Sequence, residues 1–273
     1  MLAAGLGALA VAGAGAYALA PRPLQPLTVH GMLQQRPFLV AHRGSELDWP
    51  EMSLHGYEQC VARGIQALEM SLSRSSDGVW FGLHDGTLDR TSGTAGFVAA
   101  EHTWAEIRQH RISAGATRDP RQPDRPYLDL ITFLRRFAAS NVLFIDPKAV
   151  DSHHFPELVE LIRRHVRSPR AGVVAKSEAV NTGWAELARA AGMRSWGFYY
   201  PKDLPPAGTL FTTTHASWDL LGLDQTSSAE QWRLVTSVGK PVIGHVITTR
   251  AGRDRVVGFG ARGVMCADVI AAS

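Results

Sequence analysis

What most constrains the fold of this chain is a series of short apolar runs, each of strand length, separated by stretches with helical spacing. The runs are Phe38–Ala41, Ala67–Leu72, Val79–Leu83, Val142–Ile145, Ala171–Ala175, Arg194–Phe198, Leu220–Leu223, Val242–Ile247 and Gly263–Cys266. Between them, Leu54, Tyr57 and Val61 recur at three and four residues, as do Ile131, Leu134 and Phe137, Leu158, Leu161 and Ile162, and Trp184, Leu187 and Ala191. Strands alternating with helices predict a parallel sheet with helical crossovers. Eight or nine strands in about 240 residues match a single α/β barrel of the (β/α)8 (TIM) type. A doubly wound sheet is the alternative.

Composition narrows the class. In a chain of 273 residues, 45% hydrophobic content excludes wholesale disorder. Two cysteines, Cys60 and Cys266, exclude a disulfide scaffold. A net charge of +3 is too small to argue for nucleic acid as a partner. The cations are almost all arginine; the lysines are Lys148, Lys176, Lys202 and Lys240.

Residues 1–20 form a separate object, an uncharged stretch of mostly Ala, Gly and Leu, long enough to cross a bilayer. Ala18-Leu19-Ala20 fits a small-x-small cleavage site and favours a signal peptide, whereas the missing basic n-region favours an uncleaved anchor. Either reading predicts an exported or membrane-anchored, extracytoplasmic protein, with membrane association through residues 1–20. Residues 21–36, with Pro21, Pro23 and Pro26, read as a linker, and residues 37–273 as the barrel domain.

In a parallel barrel the chemistry sits where strands end. The first run ends in His42-Arg43-Gly44, the third in His84-Asp85 and the fourth in Asp146-Pro147-Lys148, while Glu69 lies within the second. The two-residue strand period places Glu69 and Ser71 on the interior face, opposite Leu68, Met70 and Leu72. It likewise places Phe144, Asp146 and Lys148 inside, and Trp80, Gly82 and His84 inside. Each residue also has a plainer explanation. Glu69 can be salt-bridged, His84 a hydrogen-bonded structural residue, and Asp146 paired with Lys148. Together they are harder to dismiss, because burying carboxylates, histidines and a lysine at one mouth is costly without a use.

The order Ala41-His42-Arg43-Gly44, Pro50-Glu51, Glu69, Asp77-Gly78, His84-Asp85 and Thr87-Leu88-Asp89-Arg90-Thr91 resembles the glycerophosphodiester phosphodiesterase family. The resemblance is close over residues 38–93, extends to Phe144–Lys148, and is collinear to Gly260–Asp268. It implies a TIM barrel that hydrolyses glycerophosphodiesters to glycerol 3-phosphate and an alcohol with a divalent cation, Mg²⁺ or Ca²⁺. It implies general base and general acid roles for His42 and His84, phosphate contact for Arg43, metal binding for Glu69 and Asp146, and a hold on the anionic substrate for Lys148.

The roles are chemically coherent. Cations neutralise the charge that grows on a phosphodiester in its transition state, and two imidazoles exchange protons near neutral pH. This chain also departs from the family pattern. Ser71 stands where the family has a second metal-binding Asp, Met52-Ser53 where Asn-Thr is usual, Asp146 where Glu is common, and His245-Val246 where Trp-Thr is frequent. The metal site is therefore one charge short, with Glu51 or a water available to complete it. Two further readings follow: a phospholipase D-like enzyme acting on lysolipids or sphingolipids, and a catalytically weakened barrel that binds a phosphodiester or lipid head group without turnover.

Overall fold

A computed structural model describes residues 27–273. Eight parallel strands close into a barrel: β1 (Phe38–Ala41), β2 (Ala67–Arg74), β3 (Val142–Asp146), β4 (Val173–Glu178), β5 (Arg194–Tyr199), β6 (Leu220–Asp224), β7 (Val242–Ile247) and β8 (Gly263–Cys266). Each pairs with the next, and β1 pairs with both β2 and β8, so no open edge remains. Helices such as Leu54–Ala62, Phe155–His165 and Thr182–Ala190 cover the outside. The near-continuous apolar strands are what a sheet buried on both faces requires. The expected (β/α)8 barrel is therefore the fold.

The two faces divide as strand alternation dictates. Phe38, Val40, Ala67, Val142, Phe144, Val174, Trp196, Leu220, Ile243 and Met265 fill the barrel. Leu68, Met70, Leu72, Leu143, Ile145 and Val264 pack outward against the helices. Large rings need gaps opposite them, and two interior glycines provide these. A Cβ on Gly222 would lie 2.4 Å from the Trp196 ring, and one on Gly263 would lie 2.3 Å from the Phe38 ring.

Three expectations need correcting. The run Val79–Leu83 is not a barrel strand. Its core, Trp80–Gly82, folds back antiparallel on Leu72–Arg74. A return strand has the same two-residue period as a barrel strand, so the sequence pattern does not separate them. Trp80 consequently faces outward and donates from Nε1 to Glu157 at 2.9 Å. Phe81 and Leu83 instead anchor a satellite cluster with Leu88, Ile107, Ile112 and Tyr127, beneath the long excursion from β2 to β3.

The strand expected over Ala171–Ala175 is shifted, running Val173–Glu178 and ending on polar residues. The expected linker also contains ordered structure. Helix α1 (Val29–Gln34), capped by Thr28, sets buried Val29 and Met32 against the interior residues at the N-terminal end of the barrel. The readings of residues 1–20 as signal peptide or anchor lie outside the described residues. Among the described residues, no helix is long and apolar enough to cross a membrane.

Candidate active site

The polar groups gather at the C-terminal mouth of the barrel, beginning at the end of β1. There Arg43, Gly44 and Ser45 all adopt positive φ, at 47°, 71° and 67°. Arginine and serine disfavour this region, so surrounding bonds must hold the turn. The Met52 N–H donates to the Arg43 carbonyl at 2.7 Å, and the Ser45 hydroxyl donates to Asp48 at 2.7 Å. The turn points the Arg43 N–H into the barrel, where it donates to Glu69 Oε2 at 2.8 Å.

Glu69 is fully buried on β2, and its other oxygen is also engaged. Oε1 accepts from the Ser71 hydroxyl at 2.8 Å and from Lys176 Nζ at 3.0 Å. Lys176, on β4, also donates to Asp146 Oδ2 on β3 at 2.7 Å. Three adjacent strands thus place one ammonium between two carboxylates. Burial alone would raise the Glu69 pKa, but the charges of Lys176, His42 and Arg43 and the Arg43 N–H outweigh it and hold the carboxyl at about 2. Burial would likewise strip the proton from Lys176, and Asp146 and Glu69 more than compensate, so its pKa is raised and the side chain stays charged.

This arrangement does not fit the divalent cation expected from the sequence. Ca²⁺ or Mg²⁺ takes six or more oxygens at about 2.0–2.6 Å. Here Lys176 occupies the space between the carboxylates, Ser71 donates rather than accepts toward Glu69, and Asp146 Oδ1 is the one unpartnered buried oxygen of the cluster. Two unit charges 4 Å apart repel by about 4 kcal/mol at an effective dielectric of 20, and a divalent ion doubles that against the ammonium. Nor is Glu51 free to complete such a site, because Arg90 holds it through two N–H groups at 2.6 and 2.9 Å. Among the described residues, no group of three or more His, Cys, Asp or Glu side chains is placed to hold a metal.

The two histidines share one local design. His42 Nδ1 lies 2.6 Å from Glu46 Oε1, and His84 Nδ1 lies 2.7 Å from Asp85 Oδ1. A carboxylate only accepts, so each Nδ1 carries the proton and each Nε2 remains for proton exchange. Asp85 is itself fixed by Arg90 Nε at 2.7 Å, which links His84 to Glu51 through one guanidinium. The His84 pKa is lowered, first by burial and then by the Arg43 charge, against the pull of Asp85. The Lys148 charge lowers it further.

The structure brings His42, Arg43, Glu69, Ser71, Asp146 and His84 to this mouth. Lys148 sits at its rim, but its partner is Glu178 on β4 rather than Asp146. The sequence reading passed over Lys176, Glu46 and Arg90. Lys176 had two available signals, being one of four lysines and continuing the inward alternation of Val174. His245 on β7 is also buried here, its ring centroid 4.9 Å from Phe198 and 5.8 Å from Tyr200, with Nδ1 unpartnered. A separate cleft of about 450 Å³ lies at the opposite end of the barrel, beside Val29, Arg170 and Arg194, and holds none of these groups.

The chain matches the glycerophosphoryl diester phosphodiesterase family over residues 42–178, a span containing the charged groups and histidines of the mouth except His245. A Mycobacterium tuberculosis protein described as a probable glycerophosphodiester phosphodiesterase is 36% identical over 98 residues, which is 36% of this chain and 35% of that protein. A Bacillus subtilis glycerophosphodiester phosphodiesterase is 28% identical over 142 residues, covering 48% and 47%. These matches span about a third to a half of the relatives' own lengths. Among solved structures, a glycerophosphoryl diester phosphodiesterase from Parabacteroides distasonis superposes with a TM-score of 0.66 at 17% identity, over 91% of each chain. An Oleispira antarctica phosphodiesterase in complex with the product sn-glycerol-3-phosphate gives 0.68 at 19% identity, over 85% of this chain and 93% of that one. At these identities the likeness is one of fold.

Proposed function

This chain belongs to the glycerophosphoryl diester phosphodiesterase family, and on that footing we propose that it hydrolyses glycerophosphodiesters to glycerol 3-phosphate and an alcohol. The observation that carries the reading is the pair of imidazoles at one mouth, each with Nδ1 on a carboxylate and Nε2 left for proton exchange. The Oleispira neighbour, which holds glycerol 3-phosphate, supports the choice of product class.

In the proposed reaction, His42 Nε2 takes a proton as an oxygen nucleophile, water or the substrate's neighbouring hydroxyl, forms its bond to phosphorus. His84, protonated at Nε2, gives its proton to the alcohol oxygen as the P–O bond breaks. If the neighbouring hydroxyl attacks, a cyclic phosphodiester forms, and water opens it with the histidine roles exchanged. Arg43 and Lys148 hold the phosphoryl oxygens, and Arg90 fixes Asp85 and so the His84 ring. The Mg²⁺ or Ca²⁺ dependence expected from the resemblance meets carboxylates already bridged by Lys176, and no step is routed through a metal.

Incubation with glycerophosphocholine and with lysophosphatidylcholine tests the reading. Glycerol 3-phosphate and choline released from the first substrate support it. Choline released only from the second assigns a phospholipase D-like reaction, and binding without turnover assigns a weakened barrel.

A further inference from the structure

We infer that Lys176 is the resident cation of this site: its ammonium group, fixed between Glu69 and Asp146, takes over the charge neutralisation of a divalent ion and offers its third N–H to a phosphoryl oxygen. This rests on the phosphodiesterase reading above. Lys176 has three N–H donors, and two are used on Glu69 and Asp146. No described residue accepts the third. The side chain is 4% exposed, and Phe198 and Trp196 flank its ammonium with ring centroids at 5.2 and 5.9 Å. A charge walled off from water in this way acts more strongly on a bound anion than one in solvent.

Charge balance explains Ser71 by the same means. One ammonium against the two carboxylates of Glu69 and Asp146 leaves one negative charge. A divalent ion against three carboxylates leaves the same. A hydroxyl at position 71 is therefore what a lysine-centred site needs. A third carboxylate there would leave the cluster with one negative charge too many.

The native chain supplies the first test. Calorimetric titration with Mg²⁺ and with Ca²⁺ should show no binding, melting temperature should not respond to either ion, and hydrolysis of glycerophosphocholine should be unchanged by EDTA. Lys176→Met should lower kcat/KM by about 10²–10³-fold, the usual loss for removing one charge-stabilising donor. Ser71→Asp combined with Lys176→Met should bind one divalent ion per chain and recover part of the lost turnover only when metal is added. A merely structural lysine would show no such rescue. One divalent ion bound per native chain and lost in Glu69→Gln overturns the inference, as does native turnover abolished by EDTA and restored by metal. If the double variant does not fold, the native titration still decides. A native chain that neither hydrolyses the diester nor binds metal overturns the functional reading, and with it the phosphoryl contact of the third N–H, while the absence of metal binding still supports Lys176 as the cation between the two carboxylates.

Discussion

Ser71 donates its hydroxyl to Glu69 Oε1 at 2.8 Å, on the same oxygen that Lys176 approaches to 3.0 Å. The carboxylate therefore has its charge met and both oxygens occupied without any ligand. Ser71→Asp alone adds a third carboxylate to Glu69 and Asp146, with only the Lys176 ammonium for them to share. Leaving a buried charge uncompensated costs about 3–5 kcal/mol, and melting temperature should fall accordingly. Burial and Glu69 would raise the new carboxyl's pKa above its unfolded value. The stability deficit should thus shrink as pH falls through the raised folded pKa, and vanish only below about pH 3.9, where the group becomes neutral in the unfolded chain as well. Equal melting temperatures for the variant and the native chain at pH 7 would show that position 71 does not face the cluster.

His42→Ala and His84→Ala should each lower turnover of glycerophosphocholine by about 10²–10⁴-fold. His84 is the more exposed of the two, at 26% of its side chain, so its variant should melt close to the native temperature. Release of glycerol 3-phosphate, followed by a coupled assay, gives the readout. Near-native rates in either variant remove that residue from proton transfer.

Lys148→Met should raise KM with little effect on melting temperature. Its partner Glu178 is 44% exposed, and pairs of this kind contribute about 0–1 kcal/mol. A buried Asp146–Lys148 pair would have predicted a much larger loss. A steep fall in melting temperature with unchanged KM would assign Lys148 to structure alone.

His245 makes stability depend on pH. Burial among Trp196, Phe198 and Tyr200 pushes its pKa down to about 4, against the partial pull of Asp224. The unfolded chain takes up this proton near pH 6.5, so the folded state loses stability as pH falls from there toward 4. The loss amounts to about 3 kcal/mol, at 1.36 kcal/mol per pKa unit. His245→Phe should flatten that part of the stability curve in urea melts between pH 7 and 4. An unchanged slope would mean that another group titrates there.

A chain beginning at Pro37 lacks α1 and uncovers the interior residues beneath it. Val29 and Met32 are 3% and 0% exposed, and each fully buried side chain of this kind contributes about 1.5–3 kcal/mol. Such a chain should unfold at markedly lower urea than one beginning at Leu27. Matching midpoints would show that α1 adds nothing.

The sequence reveals the barrel because parallel strands buried on both faces must be apolar throughout, and each such run is visible by itself. The same rule hides Lys176. Val173–Ala175 looks like a strand that stops where the charge begins, yet β4 continues through Lys176 to Glu178. The period also misplaces Trp80, since a hairpin return and a barrel strand alternate alike. Glu51 and Arg90 lie 39 residues apart, and nothing local to either discloses their pairing. Helix α1 is six residues long, and the three prolines shortly before it suggest an extended linker. Only the apolar floor it covers gives it a reason to form.

That floor gives the molecule a foot and a rim. With α1 seated across one pole, solvent and substrate have the opposite pole as their way to Glu69 and Lys176. The described chain also starts at the foot, with Leu27 packed against that floor at the end away from the histidines. A bead, surface or fusion partner joined directly to Leu27 would hold the vessel by its base and leave the opening clear.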